Sequence, residues 1–233
     1  MNVKLSPRPI NFNMNLYLSE GYELLKKEFV NIALATFLCL IMSIIPFCGF
    51  LAMGNLYKYL RDVKNHRPSS PGDIFNFDNF STYFILQLIM IAGLFVLFIP
   101  MFFIFPGIML LQNEIAGIGA GIFGFLYMIF IFVALFYFVL KGFYIPALFS
   151  LKGITDIKTA WKMSKIMTKG NLLMIFIFSI IVLILSQIGA IACGIGVLVT
   201  MPYMYTTHYI AFEDALKQIE YDEITEIGIK EKY

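Results

Sequence analysis

The chain has 233 residues, of which 60% are hydrophobic and 14% charged, and its formal net charge is +2. So few charges, against roughly a quarter in an ordinary soluble domain, could not cover the apolar surface of a soluble domain of this size. With 25 phenylalanines and a mean hydropathy of +0.82, the bilayer is the natural solvent. The small net charge, with no basic cluster on a soluble domain, excludes a nucleic-acid partner.

The polar and charged segment 1–28 lacks the early apolar core of a secretory signal. It reads as a cytoplasmic arm in which residues 13–27 form a short amphipathic surface helix. A six-span membrane domain follows over 29–212. The first span is expected from Phe29 to Ile45, broken by Pro46 and Gly49. The second returns over 50–60, where Tyr57, Lys58 and Tyr59 make an aromatic, snorkelling end. Residues 61–79 are a polar loop, with Ile74, Phe75, Phe77 and Phe80 placed at the membrane interface. The third span runs from about Ser81 to Phe105, with a kink at Pro100. Gln112, Asn113 and Glu114 belong to an outer connection. Glu114 reads either as a ligand contact or as a solvated loop carboxylate.

The fourth span covers about Ile118 to Leu140. Gly117, Gly121 and Gly124 lie near one of its faces, a small-residue spacing that lets helices approach closely. In the next polar segment, 141–170, a helix is expected over 156–168, started by Thr155 or Asp156 and ended by Gly170. Lys158, Lys162, Lys165 and Lys169 share one of its faces. Ile157, Ala160, Trp161 and Ser164 share another. That pattern describes a basic amphipathic helix lying on anionic lipid, anchored by the only tryptophan in the chain. The lysine face reads alternatively as a docking face for a protein. The fifth span is Leu172 to Ile191, where Ser186 and Gln187 are placed to hydrogen-bond across helices. The turn at Cys193-Gly194 leads to the sixth, Val197 to about Phe212. Residues 213–233 form a cytoplasmic polar tail.

With both ends in the cytoplasm, all 17 Lys and Arg residues fall on the cytoplasmic side. The outer connections carry none, as the positive-inside rule demands. The fold expected is therefore an all-α, polytopic transmembrane helical bundle of about six spans, with amphipathic surface helices on the cytoplasmic side.

No phosphate-binding loop, nucleophile elbow, zinc-helix motif or paired-cysteine site occurs, so no enzyme activity, cofactor or metal is expected. Cys39, Cys48 and Cys193 read as small packing residues. Intramembrane polar groups are the remaining pointers. His208 lies about 10 Å from the cytoplasmic boundary at the helical rise per residue, and Gln87 reaches a similar depth. With Tyr205 and Tyr209 they form a candidate cytoplasm-facing polar cavity. The same residues also suit an interfacial band of tyrosine and histidine.

Several local patterns, taken in order, resemble a broad family of small bacterial six-span membrane proteins. It includes the membrane domain attached to some glycerophosphodiester phosphodiesterases. The matching residues are Pro46 with Gly49, Asp78-Asn79-Phe80, Pro106-Gly107, Ala160-Trp161 with Ser164, Lys169-Gly170-Asn171, and Gly194 with Gly196 and Pro202. The resemblance covers about residues 15–216. It implies a six-helix fold in a bacterial inner membrane and carries over no catalytic residue. The function expected is that of a non-catalytic scaffold, accessory subunit or envelope-maintenance component, with a membrane-protein partner or a homo-oligomer. The alternative is a carrier for a lipid or other apolar molecule.

Overall fold

The computed structural model describes residues 4–110, 114–191 and 196–221. Cys193, Gly194, Gln112, Asn113 and the tail beyond 221 lie outside them. Nine α-helices are present among the described residues: α1 (Met14–Lys27), α2 (Phe29–Ile44), α3 (Gly49–Lys64), α4 (Phe80–Leu110), α5 (Glu114–Lys141), α6 (Ile145–Lys152), α7 (Ile157–Met167), α8 (Leu172–Ile191) and α9 (Val197–Ile219). A short 3-10 helix spans Pro71–Phe75. Two-residue strands β1 (Lys4–Leu5) and β2 (Glu220–Tyr221) pair antiparallel.

Local chemistry explains most helix ends. The Asn13 side chain accepts from Leu16 N at 3.1 Å and caps α1. Asp156 accepts from Thr159 N at 2.9 Å and from Lys158 N at 3.3 Å, satisfying donors that the first turn of α7 leaves open. The Thr159 hydroxyl, which also donates to Asp156, and then these backbone donors hold the Asp156 carboxyl below its ordinary range. Pro146 opens α6, where its missing N–H costs nothing, and Gly153 closes it in the left-handed region at φ 66°.

The helices differ from expectation in several respects. The second begins at Gly49 and continues to Lys64. The third continues through Pro100 and Pro106 to Leu110. Glu114, expected in a connection, opens α5. A helix, α6, stands where a loop was expected, and α9 runs past Phe212 to Ile219. Ile74, expected at the interface, is fully buried, whereas Phe75 and Phe77 are exposed.

Among the described residues, three stretches are long and apolar enough to cross a membrane: Phe80–Ile104, Gly117–Lys152 and Leu172–Gly189. Helices α1 and α2 meet that test only together, and they bend by 101° at Glu28. The count of six is not reached on length and composition. At 1.5 Å per residue α2 is about 24 Å long, short of a ~30 Å hydrocarbon core. Helix α9 is long enough but carries Glu213, Asp214 and Lys217.

The core lies among α1, α2, α3, α6, α8 and α9, with Tyr17, Ile32, Leu56, Leu60, Leu148, Phe178 and Tyr209 all fully buried. Glycines let the helices close up. A Cβ on Gly21 of α1 would sit 2.8 Å from Thr207 Cα of α9, and one on Gly196 would sit 2.7 Å from Gly189 Cα of α8. Helices α4 and α5 form a hairpin that is apolar on nearly every side: Phe103 is 76% exposed and Phe125 67%. It is tied by the Tyr127 hydroxyl, which donates to Leu97 O at 2.9 Å. Such a surface is stable in contact with lipid, not water.

Candidate functional site: the charged end of the bundle

Polar side chains gather where α1, α3 and α9 meet. Lys64, in the last turn of α3, reaches Glu213 of α9 at 2.6 Å and Glu20 of α1 at 3.4 Å. Its ammonium stands 5.9 Å from the centroid of the Tyr209 ring, a cation–π distance. Lys217, one turn beyond Glu213, pairs with it at 3.5 Å. Burial works to raise the Glu213 carboxyl, but the Lys64 hydrogen bond and charge, then Lys217 and Tyr209, bring it below the ordinary range. Beside this pair, the buried Tyr17 hydroxyl donates to Asp214 at 2.6 Å. Burial first, then that hydrogen bond, push the Tyr17 phenol far above its usual value.

The arm is stitched onto the same place. Gln218 donates to Asp214 at 2.8 Å and to Asn11 O at 3.1 Å, while its own Oε1 accepts from Asn11 N at 2.8 Å. Arg8 Nε donates to Gln218 O, and Ser6 N donates to Ile219 O at 2.8 Å. Across the arm, Ile10 N donates to Met167 O at 3.2 Å and Asn171 donates to Ile10 O. Lys152 at the end of α6 pairs with Glu220, and Arg61 Nη1 donates to Leu151 O at 3.0 Å. All of these contacts except Gln218–Asp214, which lies within α9, join segments distant in sequence.

The candidate cavity of His208, Gln87, Tyr205 and Tyr209 is not assembled as one group. Helix geometry turns by about 100° per residue, so Tyr205 and Tyr209 are directed towards α3, where Tyr57 and Lys64 stand, while His208 is directed towards Phe143 and Phe178. Tyr205 packs against Tyr57, ring centroids 6.3 Å apart. His208 sits among Phe143, Phe178 and Phe212 at 5.9, 5.4 and 6.1 Å, with Nδ1 2.8 Å from Met204 O of its own helix. Gln87 lies on α4, whose main neighbours are α5 and α3. Its buried Oε1 has no hydrogen-bond partner among the described residues.

In α7, Lys158, Lys162 and Lys165 are exposed, as is Lys169 just beyond its end. The face expected to lie in lipid is turned onto the protein instead: Ala160, Met163, Ser164 and Met167 are buried. Trp161 is half-buried, its ring 5.6 Å from Phe138 of α5. Ser164 donates to Lys141 O at 2.6 Å and accepts from Tyr144 N at 3.3 Å, fixing α7 to the α5–α6 corner. Of the packing glycines, Gly117 and Gly121 have open space around a built Cβ, and only Gly124 approaches a neighbour, Ile104, at 3.4 Å. The close helix approaches fall at Gly21, Gly54, Gly189 and Gly196.

Sequence reasoning missed Tyr17, Lys64, Glu213, Asp214 and Gln218. Each reads singly as a solvated surface residue, and the partners of the Tyr17–Asp214 bond stand 197 residues apart. It also missed Asn55, buried on α3, which donates to Ile74 O at 2.9 Å and Asn76 O at 2.6 Å and so pins the 3-10 segment against α2 and α3. No family model, curated protein or solved structure matches the chain.

Proposed function

We propose that this chain is a non-catalytic integral membrane component: a scaffold, accessory subunit or envelope-maintenance protein of a bacterial inner membrane. One observation carries the reading. The acids of the charged end are engaged in joining elements, Glu213 of α9 by Lys64 of α3 and Asp214 of α9 by Tyr17 of α1. A catalytic carboxylate needs an open approach to substrate; these are clamped between helices. In this reading α2, α3, α4, α5, α8 and α9 cross the bilayer and both ends are cytoplasmic, because that arrangement keeps every Lys and Arg on one side. Isolation from native membranes should yield a stoichiometric membrane partner or a defined homo-oligomer. A monodisperse monomer without a partner would count against the proposal.

A second reading, a carrier for a lipid or apolar molecule, is favoured by the aromatic cluster around His208 beneath the arm. There Phe12 lies 5.4 Å from Phe178 and 4.9 Å from Tyr17. Protein-dependent movement of an amphiphile in liposomes, altered by His208→Ala, would support it; an inert preparation would remove it.

The outward lysines of α7 give the membrane component a lipid-facing cation stripe. Each contributes about 1 kcal/mol near an anionic surface. Replacing Lys158, Lys162, Lys165 and Lys169 by Gln should abolish salt-dependent protection of α7 by anionic nanodiscs, read by hydrogen exchange. Unchanged protection would assign the stripe to a protein partner.

A further inference from the structure

At the elbow between α1 and α2 a cleft opens, lined by Glu28, Asn31, Tyr59, His66, Arg67 and Ser69. Three features give it a chemical character. First, it is lined by opposite charges, the Glu28 carboxylate and the Arg67 guanidinium, which form no ion pair with each other among the described residues. Glu28 accepts from Asn31 Nδ2 at 2.9 Å, which leaves one carboxylate oxygen without a described partner. Arg67 touches Asp62 through Nη1 only, at 3.7 Å, so most of its donor fork remains available. Second, Tyr59, only 3% exposed, is among the lining residues. Third, the cleft sits where the chain turns by 101° from α1 into the apolar helix α2.

Below it the adjoining face of α2 is bare. Val30, Leu34, Phe37 and Ile41 are 74%, 47%, 48% and 40% exposed and recur at four- and three-residue spacing, so they form one stripe. From Val30 to Ile41 the stripe is about 16 Å long at the helical rise, close to half of a ~30 Å hydrocarbon core. That is the depth of a single leaflet.

We propose that this cleft and stripe form a binding site for one zwitterionic phospholipid of the ethanolamine type. The ammonium lies against Glu28, and the phosphate against Arg67 with His66 and Ser69. An acyl chain runs along Val30, Leu34, Phe37 and Ile41. A separated carboxylate and guanidinium complement a head group that carries one charge of each sign. An anionic lipid would meet Arg67 but be repelled by Glu28. No third His, Cys, Asp or Glu stands with Glu28 and His66 among the described residues to complete a metal set, so an ammonium is the cation that fits. The site is separate from the lysine stripe of α7 and stands or falls independently of the scaffold reading.

The test is native mass spectrometry of the full chain released from nanodiscs holding equal phosphatidylethanolamine and phosphatidylglycerol. The first bound lipid should be phosphatidylethanolamine, by about fivefold, the upper value of a partly exposed ion pair. Glu28→Gln should erase that preference, and Arg67→Gln should lower retention of both lipids. Glu28 and Arg67 are both exposed, so the variants should keep the wild-type melting temperature. Glycerophosphoethanolamine, which lacks acyl chains, should not compete at the same concentration. Equal binding of the two lipids by the unaltered chain would overturn the proposal, as would a preference that survives Glu28→Gln. So would competition by the water-soluble head group, which would make the ligand a soluble phosphoamine, or loss of the preference on removing the four lysines of α7.

Discussion

Asn55 shows how a single amide can shape a surface loop. Its two donors meet the carbonyls of Ile74 and Asn76, and through them Ile74 is driven between α2 and α3. Asn55→Ala leaves those carbonyls without their donor, a cost of about 1–3 kcal/mol for buried polar groups. The expected result is faster amide exchange over 71–76 and a lower melting temperature in detergent, with the spans intact. Glu213 carries a pH signature of its own. Its folded carboxyl titrates below the ordinary value of 4.5, so the stability it contributes is complete above that value. That stability is lost as pH falls through the lower, folded value. Melting temperature against pH should therefore drop on the acid side in the native chain, and Glu213→Gln should flatten that drop. An identical acid slope in the variant would assign the loss to other carboxylates.

At the scale of elements, the helix that the sequence describes best is α7. Its cap at Asp156 acts locally, so it can be read from neighbours along the chain, whereas the helix ends at Met167 with Thr168 as its C-cap, ahead of the expected stop at Gly170. Its orientation could not be read that way. An apolar face opposite a lysine face fits lipid and protein equally, and only the α5–α6 corner, with Lys141 O and Phe138, decides for protein. Helix α6 escaped because eight residues with Pro146 beside Gly142 look like a turn. Helix α4 outruns its expected end at Phe105 and passes through Pro106, because in an apolar medium a helix has no water to satisfy a broken backbone and continues. The glycines make the same point. Those at 117 and 121 have helix-packing spacing but no neighbour, whereas Gly21, alone in a polar helix, is in contact with Thr207 backbone. Gly21→Val should force α1 off α9 and cost about 1–3 kcal/mol, the range for overpacking. Gly121→Ala should be neutral or stabilising by up to about 1 kcal/mol. Thermal unfolding of the two variants side by side would show whether that ordering holds.

At the scale of the molecule, the positive-inside rule assigns the charges of the proposed arrangement from the linear sequence, whereas the tertiary clamp is not legible there. Every Lys and Arg could be assigned to one side from the linear sequence, because the positive-inside rule needs only loops and spans. The meeting of Lys64 with Glu213, or of Asn11 with Gln218, depends on helices that are neighbours only once folded. Topology can be measured directly. Single cysteines introduced at Ser70 and Lys152, in a background with the native cysteines replaced, should react with impermeant reagents only from the cytoplasmic side. One at Asn113 should react only from the other. Labelling of the 152 position from outside would overturn the six-span arrangement.

The stitching of the arm to the end of α9 also fixes an order of events. The partners of the Arg8–Gln218 bond stand 210 residues apart, so the arm emerges from the ribosome long before its partner exists. At about 5–20 residues per second, that wait is on the order of ten seconds or more. During it, Arg8 and Asn11 have no Gln218 to meet, and the carbonyls of Gln218 and Ile219 are not yet made. The contact that closes the charged end is thus among the last to form, and it reports that the whole membrane domain has been synthesised and inserted. A nascent chain arrested before residue 218 should leave the arm open to protease, and one released after it should not.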